Sequence, residues 1–176
     1  TTLQSNPINR LDTLIVQSGS VNLGVGLTHK IGTIYGTGII NFGSSVLETD
    51  GDTINLSNMS TIVPSTGILR FIGDTADTQI LMPKNLSTLP SIEHPNSGIL
   101  VVSGAPLQCL ALAMSNGEFD MNGNNLVVTG NLSFTNGDTA TLVNLGGRTI
   151  TVGGNALFSG NNGNPINLNP ETSWTI

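Results

Sequence analysis

Leu126-Val127-Val128-Thr129-Gly130 is the phrase whose reading decides the fold: a short aliphatic, β-branched run closed by glycine. Such a run favours a pleated, half-buried strand, and glycine lets the chain leave it sharply. The same shape recurs at Ile150-Thr151-Val152-Gly153-Gly154, Leu100-Val101-Val102-Ser103-Gly104 and Leu69-Arg70-Phe71-Ile72-Gly73. Looser copies are Ile39-Ile40-Asn41-Phe42-Gly43 and Ile15-Val16-Gln17-Ser18-Gly19. The closing glycines stand at 19, 43, 73, 104, 130 and 154, so their successive differences are 24, 30, 31, 26 and 24. Self-similarity at near-constant spacing is the signature of a repeat architecture.

Outward from each copy lie two more strand candidates. One follows the glycine, as in Val21-Asn22-Leu23, Val46-Leu47 or Leu132-Ser133-Phe134. The other precedes the next copy, as in Gly32-Thr33-Ile34-Tyr35, Thr53-Ile54-Asn55-Leu56 or Glu118-Phe119-Asp120-Met121. Three strands separated by Gly/Asn/Ser corners make one turn of a three-faced coil. The fold expected is therefore all-β, a right-handed parallel β-helix (a three-faced β-solenoid) of roughly six rungs of about 24–31 residues. At about 4.8 Å per rung the rod is on the order of 30 Å long. Alternation inside the strands sends every second side chain into the lumen. Leu23, Leu47, Leu126, Val128, Phe134, Ile150, Val152 and Phe158 are expected inside, with Leu23 over Leu47 and Phe134 under Phe158. The alternative is a β-sandwich or jelly roll, which would place antiparallel hairpins across the glycines.

Composition narrows the function classes. Only 9% of the 176 residues are charged, and Gly (22 of them), Asn, Ser and Thr fill the gap, which suits corners and strands better than helices. A net charge of −6, with Arg10, Lys30, Arg70, Lys84 and Arg148 scattered along the chain, argues against nucleic acid. No apolar run is long enough for a membrane-spanning helix. The single Cys109 leaves no internal disulfide, and its setting Leu107-Gln108-Cys109-Leu110 reads as a small buried hydrophobe.

The stretches Met121-Asn122-Gly123-Asn124-Asn125-Leu126-Val127-Val128-Thr129-Gly130-Asn131 and Arg148-Thr149-Ile150-Thr151-Val152-Gly153-Gly154-Asn155 carry a resemblance. Residues 98 to 176 resemble the repeat regions of large secreted bacterial surface proteins, the adhesin-like and autotransporter-passenger-like β-helices. The resemblance implies a structural or adhesive role outside the cell, and it brings no catalytic residues with it.

Candidate sites are few. The longest repeat, 73 to 104, is about seven longer than the shortest, and three prolines between 83 and 97 place the extra length in a projecting loop. That loop gathers Lys84, Glu93 and His94, the residues expected to bind a ligand if any do; a loop that merely packs is the competing reading. Glu93/His94 as a catalytic pair lacks a partner, since His29 lies some three repeats away and no H-E-x-x-H, G-x-S-x-G or Cys/His cluster is present. Glu48, Asp50, Asp52, Asp74 and Asp77 suggest either weak calcium binding at Asp50/Asp52 or a lyase-like cleft. Counted from the closing glycines they share no column, so solvated turn carboxylates are expected. Thr149-Ile150-Thr151 offers one T-x-T, without a repeat that would make an ice- or crystal-binding row. Aromatics are 4% of the chain and Tyr35 and Trp174 are the only amphipathic ones, so carbohydrate binding by stacking is not expected. Asn58-Met59-Ser60, Asn85-Leu86-Ser87 and Asn131-Leu132-Ser133 match the glycosylation sequon.

These readings converge on a single 1–176 solenoid domain that is a slice of a longer rod or a subunit stacking end to end, because the last repeat breaks off mid-strand near Ile176. The expected role is a non-enzymatic extracellular structural or adhesive element, with no cofactor or metal. Its partners would be further repeats, other copies or surface glycans, with no nucleic acid and no membrane insertion. The alternative is a carbohydrate-active β-helix, lyase-like or tailspike-like, whose active site lies elsewhere.

Overall fold

The computed structural model describes residues 8–73, 77–135, 141–144, 148–160, 166–168 and 173–175. These residues form strands and turns with no helix. β1 (Leu11–Val16) and β2 (Ser20–Asn22) open the coil, followed by β3 (Thr28–Gly36) and β4 (Ile39–Asn41). The third turn is β5 (Val46–Thr49), β6 (Thr53–Asn55) and β7 (Thr61–Val63). The fourth is β8 (Ile68–Phe71), β9 (Thr78–Met82) and β10 (Thr88–Leu89). Next come β11 (Ser91–His94), β12 (Ile99–Val102) and β13 (Leu107–Cys109), then β14 (Leu112–Met114), β15 (Glu118–Asp120) and β16 (Leu126–Val128). The chain continues through β17 (Leu132–Thr135), β18 (Thr141–Asn144) and β19 (Thr149–Val152) to β20 (Ala156–Ser159), β21 (Ile166–Leu168) and β22 (Ser173–Thr175).

Every strand pairing among these residues is parallel, and each joins one turn to the next. The 14-stranded sheet wraps two faces, because the long β3 pairs β5 through Thr28–Ile31 and β6 through Ile34. The third face is split into β2-β4-β7 and β10-β13-β16-β19-β22. The split falls beside the very short β10, which is followed by Pro90, a residue with no N–H to offer a ladder. The molecule is a β-solenoid of about 7 turns, on the order of 34 Å long at about 4.8 Å per turn.

The expected period requires correction. Paired residues on successive turns are 18 (Thr28 and Val46) to 27 (Thr53 and Ile80) positions apart, not 24–31. The six glycine-closed phrases fall on all three faces, and only Leu126–Val128 and Ile150–Val152 are register partners. Aliphatic strands ending in a Gly/Asn corner occur on all three faces. The two longest steps between closing glycines therefore advance by a turn plus a face. For the same reason Leu47 stacks on His29 and Leu69 rather than on Leu23. Phe134 does lie against Phe158, rings parallel with centroids 5.6 Å apart, and Phe119 tilts against Phe134 at 6.0 Å.

The corners show why asparagine is so frequent. Asn22, Asn41 and Asn55 each turn their Oδ1 to accept the backbone N–H two places on, from Gly24, Gly43 and Ser57. This side chain substitutes for the ladder where the backbone bends. Gly43 follows with φ +58, and a Cβ there would overlap the Gly24 carbonyl of the turn below.

Inside, columns of like residues run along the axis. Leu47, Leu69, Ile92, Leu112 and Leu132 follow His29 in register and are fully or almost fully buried. Of the eight residues expected in the lumen, seven are buried, and Phe158 in the last described turn is half-buried against the same core. Cys109 is one of the core residues, and burial pushes its thiol pKa up to about 12, so it is an inert apolar filler.

Candidate functional site

Odd and even positions of the strands separate lumen from surface, so chemistry available to a partner lies in the outward columns. On the first face the column between the two buried rows reads Lys30, Glu48, Arg70, Glu93, Ala113, Ser133, Leu157, each in register with the next. Its first four members alternate in charge. Arg70 Nε donates to Glu93 Oε2 at 2.7 Å, and its Nη1 donates to Glu48 Oε1 at 2.9 Å. Lys30 Nζ lies 3.8 Å from Glu48 Oε2. Glu48 is the most enclosed of the four, its side chain 14% exposed. The Arg70 pKa is raised, first by its hydrogen bond to Glu93, against the opposing cost of burial.

This ladder corrects two expectations. Lys30 and Arg70 are not scattered, and Glu93, expected in a projecting loop, shares a column with Glu48 once each turn is given its true length, 18, then 22, then 23, although no two described acids of the five weighed for a calcium or lyase site are in register. Counting from the closing glycines put residues of different faces into one frame. Asp50 lies nearby but belongs to another pair, accepting from Arg10 Nε at 3.1 Å, while Arg10 Nη1 also meets Asp12 at 2.8 Å.

Nor do residues 83–97 form one projecting loop. They include β10 and β11, with a corner around Lys84 to Ser87 whose tip, Leu86, is 91% exposed at φ +58. The structure separates the three residues expected there: Lys84 sits at the corner, Glu93 points outward into the ladder, and His94 points into the lumen. The additional length of that repeat is strand, so its prolines mark corners and an edge rather than a flap.

The two histidines differ. His29 is fully buried with both ring nitrogens used: Nδ1 accepts from Ile8 N at 3.1 Å, which leaves Nε2–H to donate to Leu23 O at 2.7 Å. His94 is equally buried, but Nδ1 alone has a partner, the Asn116 carbonyl at 3.3 Å, and Nε2 has none. Burial lowers the His94 pKa, so the ring is neutral at pH 7.

Thr149 and Thr151 face outward around the buried Ile150, and Thr151 lies in register between Val127 and Thr175 in a column where Gln108 and Val127 interrupt the threonines from Thr88 onward. Among the described residues no group of three or more His, Cys, Asp or Glu side chains comes together. Asp74 and the Trp174 side chain lie outside the described residues. The structure adds one feature that sequence reading passed over, a surface groove beside Tyr35. Only the exposed tyrosine itself signalled it, because its other walls come from three turns. No family model, curated protein or solved structure matches the chain.

Proposed function

We propose that this chain is a non-enzymatic structural or adhesive β-solenoid of the extracellular surface, which presents its outer faces to partners and does not turn them over. The observation that carries this reading is the ladder: Glu48 and Glu93, two carboxylates brought together on one face, are committed to Arg70 and strengthen the stack of turns. A carboxylate held by a guanidinium in this way is a poor general acid or base. The Gly/Asn-cornered turns and the resemblance of residues 98–176 to secreted bacterial β-helices support a rod displayed at a cell surface.

The test is a panel of acidic and neutral polysaccharides incubated with the protein, read by release of new reducing ends and of unsaturated products. No turnover is expected. Turnover abolished by Asp50→Ala or Asp52→Ala would replace this reading with that of a carbohydrate-active β-helix.

A further inference from the structure

We propose that the groove beside Tyr35 is a binding subsite for a neutral saccharide. This rests on the adhesive reading above and names the class of ligand.

The groove, about 440 Å3, lies on the outside of the first three turns, within the range of roughly 300–1,000 Å3 usual for small-molecule sites. Register builds it. Ile15 of β1 pairs with Tyr35 of β3, and the pairing of Ile34 with Ile54 sets Tyr35 beside Asn55 of β6. Tyr35 is 43% and Ile15 45% exposed, an aromatic and an aliphatic side chain presented together on the surface. Gln17, Asn55 and Asn58 add three carboxamides to the lining.

Gly36, at φ +147, also lines the groove, and any Cβ there would overlap the Val16 carbonyl of the turn below. A close approach of two turns thus requires glycine, and its backbone lines the groove between Tyr35 and Thr37. Thr37 is fixed by donating its hydroxyl to Gln17 O at 2.5 Å. Asn55 is fixed as well: its Oδ1 accepts from Ser57 N at 3.1 Å and Ser57 Oγ at 2.7 Å, which leaves Nδ2 as the donor that the turn does not use.

An aromatic face next to planar amides matches the two-sided chemistry of a pyranose. Its C–H face packs on an aromatic or aliphatic surface, and its hydroxyls exchange hydrogen bonds with carboxamides, which both donate and accept. No charged side chain lines the groove, so nothing there neutralises a uronate or sulfate, and the net charge of −6 opposes anions further. The sugar selected is therefore uncharged.

Tyr35 is the only tyrosine in the chain, so its ring signals report on the groove without ambiguity. The intact chain, labelled at tyrosine, is titrated with neutral trisaccharides of glucose, mannose, galactose and N-acetylglucosamine, and with their uronic-acid counterparts. Calorimetry measures the affinities of wild type, Tyr35→Phe and Tyr35→Ala. The expected result is a saturable shift of the Tyr35 ring signals with at least one neutral sugar, and weaker or no shift with the uronates. Tyr35→Phe should keep affinity within about threefold, and Tyr35→Ala should lose at least tenfold with its melting temperature unchanged. Should the alanine variant unfold, Asn58→Ala, at an exposed turn, should still weaken binding threefold or more. Ring signals unmoved by every sugar would overturn the proposal. Sugar binding that is indifferent to Tyr35 would overturn it too, while leaving an adhesive surface elsewhere on the rod. Hydrolysis or elimination of the bound sugar would instead remove the non-enzymatic reading and keep the groove.

Discussion

The two ends of the rod solve the same geometric problem differently. From β15 onward the length of a turn is nearly constant on every face, as the pairs Glu118 with Leu142, Leu126 with Ile150, Leu132 with Ala156 and Thr141 with Ile166 show. Between β3 and β9 it varies widely, from Thr28 paired with Val46 to Thr53 paired with Ile80. Among the described residues, the buried polar His29, Ser45, Thr49, Gln79 and His94 all precede the uniform part. So do the charge ladder and the Tyr35 groove. The described side chains lining the later turns are aliphatic, aromatic or methionine, with Ser133 and Leu157 outside where the ladder would continue. Uniform turns maximise like-on-like stacking, whereas variable turns bring unlike residues into register, and specific chemistry needs unlike residues.

The largest expected effect is in the uniform part. Phe134 is packed between Phe119 and Phe158, so Phe134→Ala should cost about 3–5 kcal/mol in denaturant unfolding. Phe71→Ala removes a ring of the same size from the irregular part, where Thr49 is its register partner. It should cost less by about 0.5–1.5 kcal/mol, the contribution of aromatic pairing beyond burial. An equal or greater loss at Phe71 would show that aromatic stacking does not distinguish the two regions.

Arg70→Met should cost about 1–2 kcal/mol, because Glu48 is then left enclosed with only Lys30 at 3.8 Å. The deficit should shrink in about 1 M salt as the remaining charges are screened. A variant as stable as wild type at low salt would mean that the ladder is surface decoration.

His94 tests the polar lumen through pH. Its folded pKa lies below the ordinary value of 6.5, so as pH falls through about 6.5 the unfolded chain takes up a proton before the folded one. Its neutral form therefore supports the fold above pH 6.5, and that stability is lost progressively below it. His94→Met fills similar space and removes the unpartnered Nε2. It should change stability at pH 7 by about 1 kcal/mol or less and flatten the acid limb of the profile. His29 is retained in both proteins, so the difference between the two profiles isolates His94. Superimposable acid limbs would contradict the assignment.

The smallest effect sharpens the comparison from the other side. Ala113 follows Glu93 in the outward column, so Ala113→Lys should extend the alternation by one turn and add about 0.2–1 kcal/mol. A loss of that size would show that the ladder depends on the geometry of the earlier turns.

The same contrast explains what the sequence made legible. Strand identities were readable throughout, because alternation and Gly/Asn corners are local: Val127 lies outside between Leu126 and Val128 as the pattern dictates. The period was readable only where it is constant, at Leu126 and Ile150. Elsewhere the phrase around Leu69 looks like that around Leu100, although one lies on the first face and the other on the second. Phase errors of that kind hid the ladder, since no local pattern marks the step from Glu48 to Arg70 as one full turn. The groove was hidden for a related reason: Ile15, Tyr35 and Asn58 meet only after register is known.

The central claim is that outward residues of successive turns form one straight column. Spin labels on cysteines placed in that column, in a Cys109→Ala background, test it most directly. Pairs at Glu93/Ser133, Lys30/Ser133 and Lys30/Leu157 lie two, five and six register steps apart. Pulsed dipolar spectroscopy should return distances rising in proportion, to about 10, 24 and 29 Å at roughly 4.8 Å per step. Distances that fail to rise with the number of steps, as in a sandwich of antiparallel hairpins, would contradict the account.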